Sequence, residues 1–180
     1  MDDLSQKSGS SRAATRAQIL STFNRLLLAG EKKRPAVSEI VTEAGVARST
    51  FYDHFDGVEA LFDESLSGLF RRIAHCLVGA GEREEMVWLM AHILENRERG
   101  RKLLSGPDAE RIGNVLSRLL HEELGMRPDA RLHAILISGT VMAALGAWMT
   151  GKLATTPETL SDRLLYTSRA ILGADDDWRS

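Results

Sequence analysis

The sequence predicts an all-α protein. Aromatic residues make up only 6% of the chain, and Leu, Ala, Arg and Glu are abundant, a balance that favours helices over sheets. The prolines lie where helices would begin or end, at positions 35, 107, 128 and 157. Because 43% of the residues are hydrophobic, the chain can bury a core, which argues against wholesale disorder.

Apolar residues recur at helical spacing along most of the chain. A first helix is expected at residues 12–29, where one apolar stripe contains Ile19, Leu20, Phe23, Leu26 and Leu27. Further helices are expected at residues 38–44, 48–55, 58–77, 108–124, 129–150 and 157–172, with another helical face at residues 86–94. Residues 1–11 are polar and lack the apolar stretch of a signal peptide, so we expect a disordered arm there.

The single cysteine, Cys76, rules out an internal disulfide and suits a reducing compartment. Together with the absence of a signal peptide, this predicts a cytoplasmic protein. The apolar neighbours Leu77 and Val78 predict a thiol packed in the core rather than a nucleophile.

Charge is distributed unevenly along the chain. Between Lys7 and Tyr52, eight basic residues stand against three acidic ones, a net charge of +5. The formal net charge of the whole chain is −2, so the remainder carries −7. A basic N-terminal unit on an acidic body suggests an end that faces a polyanion, although a solvated basic surface would explain the charge equally well.

Residues 37–55 have the pattern of two short helices that cross at a steep angle. Gly45 allows the chain to leave the first helix in a left-handed conformation, and the small Ala44 allows a close crossing. Phe51 and Phe55, four residues apart, are expected to face inward. The outward residues are then Arg48, Ser49, Thr50, Tyr52 and His54. Such a polar face suits the major groove of DNA; the alternative is a surface hairpin with incidental polarity.

The segment from Ala44 to Phe55, followed by Glu59-Ala60-Leu61, closely resembles the TetR (tetracycline-repressor-like) family. The resemblance implies a helix-turn-helix DNA-binding domain of three helices at residues 12–57, a helical ligand-binding and dimerisation domain at 58–173, and a tail at 174–180. It implies a homodimeric, ligand-responsive repressor on a pseudo-palindromic operator in double-stranded DNA. The family residues that match the five outward positions line the DNA face, and the tyrosine commonly touches the phosphate backbone.

The chain departs from the family pattern in ways that concern DNA affinity. Ala36 and Ala47 stand where the family usually has Thr and Ser as helix N-caps, although Ser38 could begin the first of these helices instead. Asp53 stands where the family often has a basic residue, and Asp56 lies where it tends to have lysines. We therefore expect other cations to contact the DNA backbone in compensation: Arg12, Arg16, Lys32, Lys33 and Arg34.

Residues 134–151 contain no charged side chain, which raises the question of a membrane span. Their several Gly, Ser and Thr residues favour a buried helix with two packed faces instead. One face, with Leu132, Ile135, Leu136 and Met142, is expected to close the core of its own domain. The other is expected to form a homodimer interface that contains Gly139, Ala143, Ala147 and, from the last helix, Leu164.

The resemblance also implies an apolar pocket for an unidentified small apolar ligand. Candidate lining residues are Phe70, Met86, Trp88, Met90, His92 and Trp148, although such residues at helical spacing are more typical of a packed core. His92 is the best candidate for a polar contact with the ligand.

Catalytic constellations are missing from the sequence. His121-Glu122-Glu123 lacks the second histidine of a zinc helix, and Gly79-Ala80-Gly81 lacks the rest of a dinucleotide loop. We expect no enzyme activity, no cofactor and no metal. Two alternatives stay open: a helical ligand-binding or interaction protein that has lost DNA binding, and a helical enzyme or carrier.

Overall fold

The computed structural model describes residues 3–29 and 34–177. This part of the chain contains nine helices and no strand, which confirms the all-α prediction. The helices are α1 (Asp3–Ala29), α2 (Val37–Ala44), α3 (Arg48–Tyr52), α4 (Val58–Leu77), α5 (Arg83–Glu95), α6 (Arg97–Leu104), α7 (Ala109–Leu124), α8 (Ala130–Met149) and α9 (Pro157–Asp177).

The chain divides into two compact units, Met1–Ser65 and Leu66–Ser180. The division falls inside α4, later than the boundary we expected between residues 57 and 58.

The N-terminal unit has a core built from one side of each of its helices. Ile19 and Phe23 of α1 are fully buried, as are Ile40 of α2 and Phe51 of α3. α1 packs on α2, and α2 packs on α3. α1 begins at Asp3, so residues 3–11 are helical where we expected a disordered arm. They contain no proline, and a helix already anchored by a packed stripe extends at little cost per residue.

The C-terminal unit is a bundle in which α8 packs against α6, α7 and α9, and α5 packs against α9. The apolar stripe predicted for α7 is buried, and it consists of Ile112, Val115, Leu116, Leu119 and Leu120. The short helix α6 was not predicted, because its eight residues include five charged ones and no apolar stripe. α9 extends to Asp177, beyond the expected end at residue 172.

The prediction of which face of α8 packs in the core is wrong for three of its four residues, and the fourth, Met142, is half-buried. Leu132, Ile135 and Leu136 are about half exposed, while Ile137, Val141 and five further apolar residues are buried. The helix is apolar on all sides, so its sequence contains no period that would select the buried face. The packing of α6, α7 and α9 selects it instead.

α8 is also the one described helix that is long and apolar enough to cross a membrane, with a mean hydropathy of 1.6 over its most apolar window. Of that window, 44% is buried inside the protein, and core helices of soluble proteins have the same length and composition. Its hydropathy is therefore weak evidence for a membrane span.

Candidate nucleic-acid interface

The first helix of the predicted motif, α2, begins without a side-chain cap from its N-cap residue. Ala36 adopts an extended conformation and, as an alanine, offers no acceptor to the first turn. Glu39 supplies the other half of a capping box, because its carboxylate accepts a hydrogen bond from the backbone N–H of Ala36 at 2.6 Å. α2 therefore starts at Val37, and Ser38 does not act as its cap.

The turn after α2 depends on Gly45, whose φ of 64° and ψ of 32° lie in the left-handed region. The N–H of Val46 donates to the carbonyl of Val41 at 3.1 Å, and the N–H of Gly45 donates to that of Thr42 at 3.2 Å. These bonds satisfy carbonyls that the end of a helix leaves without partners. The predicted turn is confirmed.

The second helix, α3, is anchored by two phenylalanines. Phe51 is fully buried, Phe55 is 4% exposed, and their ring centroids lie 5.9 Å apart. Ala47 precedes the helix without a side-chain cap. After Tyr52 the chain keeps helix-like bonding, since the N–H of Phe55 donates to the carbonyl of Phe51 at 2.9 Å.

The opposite side of α3 faces solvent. Arg48 and Ser49 are exposed, Tyr52 is 48% exposed, and Thr50 and His54 are half-buried. An Nη atom of Arg48 donates to the Tyr52 hydroxyl at 3.4 Å, and the Arg48 guanidinium lies 5.7 Å from the centroid of the Tyr52 ring. The structure thus brings together hydrogen-bond donors and a flat ring on one short helix.

The three described arginines that were expected to contact the DNA backbone have partners within the N-terminal unit. Arg12 donates to the carbonyl of Asp53 at 3.1 Å, and Arg16 forms an ion pair with Glu64. Arg34 forms an ion pair with Glu59, and its guanidinium lies 4.0 Å from the centroid of the Phe62 ring. Each of these arginines thus has an intramolecular partner, and their contact with the DNA backbone stays a prediction. Lys32 and Lys33 lie outside the described residues.

The sequence model of the bacterial regulatory proteins of the tetR family matches residues 35–65. This range contains α2, the Gly45 turn, α3 and the start of α4. In this segment the chain is similar to the bacterial regulatory proteins of the tetR family. A search of curated protein sequences found no match.

Solved TetR-family structures share the fold over most of the chain. A TetR transcriptional regulator from Streptococcus agalactiae 2603V is 21% identical, with a TM-score of 0.57, over 91% of this chain and 98% of the other. One from Rhodococcus sp. RHA1 is 15% identical, with a TM-score of 0.58, over 90% and 97%. The repressor FadR from Thermus thermophilus, solved with lauroyl-CoA, is 22% identical, with a TM-score of 0.50, over 87% and 93%.

The residues expected to line a ligand pocket separate into two groups in the structure. Phe70, Met86, Met90 and Trp148 are buried in the C-terminal unit. Trp88, in contrast, is 53% exposed, and its ring stacks on that of the exposed His92 at 5.4 Å. The expectation that Trp88 and His92 line an interior pocket is wrong, because they lie on the polar face of α5. The acidic residues at 84, 85 and 95 mark that face in the sequence.

The structure exposes some of the residues that were expected at the dimer interface and buries others. Gly139 and Ala143 of α8 are exposed, and Ala147 is half-buried. Leu164 of α9 is 3% exposed in the single chain, so it belongs to the core of its own unit and is not available to a partner. The exposed apolar surface of α8 extends further than expected, because Leu132, Ile135 and Leu136 belong to it.

Cys76 is buried, as the sequence predicted. Burial, aided by the nearby negative charge of Glu85, raises the pKa of its thiol to about 11, so it is a poor nucleophile at neutral pH. Within residues 3–29 and 34–177, no group of three His, Cys, Asp or Glu side chains is placed to hold a metal ion.

Proposed function

We propose that this protein is a cytoplasmic, homodimeric repressor of the TetR family that binds a pseudo-palindromic DNA operator and is released from it by a small apolar ligand. The observation that carries the proposal is the solvent-facing set on α3, namely Arg48, Ser49 and Tyr52. Arg can donate a forked pair of hydrogen bonds to guanine in the major groove, and hydroxyl groups can bind bases or phosphates. Because Phe51 and Phe55 are buried, the opposite side of α3 is the side available to DNA.

The exposed face of α8 supports the dimeric part of the proposal. Leu132, Ile135 and Leu136 continue into the small residues Gly139 and Ala143, and all five are exposed. A surface with large apolar residues and a flat, charge-free stretch suits a second copy of the same helix. A two-fold dimer would present two α3 helices about 34–36 Å apart, one turn of DNA.

The buried apolar residues of the C-terminal unit support the ligand part of the proposal. The buried side chains of Phe70, Met86, Met90 and Trp148 would give any cavity among them an apolar wall. FadR from Thermus thermophilus, which shares the fold, was solved with lauroyl-CoA. In such a repressor α3 is the recognition helix, the helix that enters the major groove. A ligand that binds preferentially to a conformer with misplaced recognition helices would release the operator by a population shift.

Retention of the DNA upstream of its own gene, measured across a salt series, tests the proposal. We expect specific retention whose logarithm falls steeply with the logarithm of salt concentration, because each phosphate contact contributes about 0.9 to the slope. If the protein retains no DNA specifically at low salt, and if its DNA binding does not depend on salt concentration, the proposal of DNA binding is overturned.

Substitutions on α3 sharpen this test. Tyr52→Ala should weaken binding to all DNA sequences, because a tyrosine at this position would touch the backbone. Arg48→Ala should also relax the sequence preference, by about 1–3 kcal/mol at the base it reads. If neither variant changes DNA binding, the proposed orientation of α3 is wrong.

A second candidate function is a helical ligand-binding or interaction protein that has lost DNA binding. It is favoured by Asp53 and Asp56, two exposed carboxylates beside α3 that would repel phosphates. This candidate predicts a stable dimer that binds small molecules but retains no DNA in the same salt series.

A further inference from the structure

The C-terminal end of the recognition helix is held by two arginines from α1. Arg12 donates to the carbonyl of Asp53 at 3.1 Å, and Arg16 donates through Nη1 to the carbonyl of His54 at 2.5 Å. The two arginines are four residues apart, so they project from the same side of α1. Carbonyls at the end of a helix attract cations and need donors from elsewhere.

Arg16 is itself fixed by a second partner. Its Nε donates to one carboxylate oxygen of Glu64 at 3.1 Å, and its Nη2 donates to the other. This forked pairing uses the rigid geometry of a guanidinium. The guanidinium also lies 4.3 Å from the centroid of the Phe55 ring. One arginine therefore links α1, the segment after α3, and α4.

We propose that Arg16 is a positioning residue for the recognition helix, oriented by Glu64, and not a phosphate contact. The proposal rests on the DNA-binding function proposed above. Three of the five N–H donors of Arg16 are engaged, two by Glu64 and one by the carbonyl of His54, so Arg16 cannot offer the forked Nε and Nη2 pair to a phosphate unless the pairing with Glu64 breaks. In its observed place it sets where α3 ends, and hence where Arg48 and Tyr52 are presented.

The two roles of Arg16 predict opposite effects for changes at Glu64. If Arg16 positions α3, Glu64→Gln weakens the forked pairing and lowers affinity for specific DNA. If Arg16 contacts phosphate, the same change removes a competing anion and raises affinity. Arg16→Lys also separates the roles, because lysine keeps the charge but loses the fork.

The experiment measures binding of Arg16→Ala, Arg16→Lys and Glu64→Gln to two DNA duplexes across a salt series. One duplex is selected by the wild-type protein from a random-sequence pool, and the other is a scrambled sequence. Arg25→Ala is the matched control, because it removes a cation from the same helix whose partner, Glu43 at 2.7 Å, belongs to α2 and not to the segment after α3.

We expect all three test variants to lose about tenfold or more in affinity for the selected duplex. Their affinity for the scrambled duplex and their salt slopes should stay close to those of the wild type and of Arg25→Ala. Amide hydrogen exchange of residues 51–55 in the free protein should become faster in the test variants only.

Other results overturn the proposal. A gain in affinity for Glu64→Gln, with a loss of about 0.9 in the salt slope for Arg16→Ala alone, would show a phosphate contact. No change in any variant would show a surface ion pair without a role. If the wild-type protein selects no duplex, the proposed function fails, whereas the hydrogen exchange of residues 51–55 still decides whether Arg16 holds α3.

Discussion

The two units of the molecule differ in how their helices bury apolar side chains. In the N-terminal unit, α3 has one buried side, with Phe51 and Phe55, and one polar side, with Arg48 and Ser49. In the C-terminal unit, α8 is apolar all round and exposes Leu132 and Leu136 while burying Ile137 and Val141. An amphipathic helix has one possible orientation, whereas a uniformly apolar helix has an orientation that only its neighbours decide. Of four predictions, ordered from the largest expected effect to the smallest, the first two test this difference directly and the other two test a local contact in each unit.

Replacing the buried anchor of α3 should have the largest effect. Phe51→Ala removes a fully buried ring and should lower the free energy of unfolding of the N-terminal unit by about 3–5 kcal/mol. Tyr52→Ala, on the exposed side of the same helix, is the control and should cost less than about 1 kcal/mol. Urea denaturation followed by circular dichroism measures both. Equal losses would show that α3 has no distinct inner side.

A charge on the exposed face of α8 should separate subunits without unfolding them. Leu136→Glu places a carboxylate on a half-exposed apolar position, and in a two-fold dimer it would be buried without a partner at a cost of several kcal/mol. Sedimentation should show a monomer with unchanged helix content. Met126→Glu, at a fully exposed position before α8, should leave the assembly intact. A variant at Leu136 that unfolds as a monomer would show that this side of α8 faces the core.

The Gly45 turn should be sensitive to backbone conformation rather than to space. A Cβ at Gly45 would meet nothing within 4 Å, but φ is +64°, so Gly45→Ala should destabilise the N-terminal unit by about 1–2 kcal/mol. Gly68, inside α4, has the same open surroundings without a positive φ. Gly68→Ala should therefore stabilise the protein, by up to about 1 kcal/mol. Thermal unfolding measures both, and effects of the same sign would contradict the argument.

The smallest expected effect concerns the ion pair between α5 and α9. Arg83 donates to Asp162 at 2.7 and 2.9 Å, and this hydrogen bonding lowers the pKa of the Asp162 carboxyl. Because the pKa of Asp162 is lower in the folded state, the ion pair stabilises the protein fully at a pH above the pKa of the unfolded state. This stabilisation is lost as the pH falls through the pKa of the folded state. Asp162→Asn should slightly lower Tm at neutral pH, and the difference should vanish in acid. A difference that persists in acid would assign the effect to packing.

The sequence predicted the helix-turn-helix because its signals are local. A glycine at the turn, two phenylalanines four residues apart and a polar remainder are sufficient to orient α3. The arginines of the same unit could not be placed, since the pairing of Arg16 with Glu64 joins residues far apart in the chain. In the C-terminal unit, α6 was not predicted because it has no apolar stripe. Leu164 could not be assigned to the core or to a dimer interface from the sequence of α9 alone. Trp88 was wrongly assigned to the pocket because it is a large apolar residue, although the acidic residues at 84, 85 and 95 mark its side of α5 as the exposed one.

If the apolar face of α8 is a dimer interface, the assembly is subject to mass action. If a second copy covers Leu132, Ile135 and Leu136, dilution uncovers them and separates the paired recognition helices at the same time. Thermal stability and operator occupancy would then both increase with protein concentration. A cell that makes few copies would hold chains that are exposed to aggregation and limited to single half-sites. The abundance of the protein would thus determine its regulatory output even at constant ligand concentration.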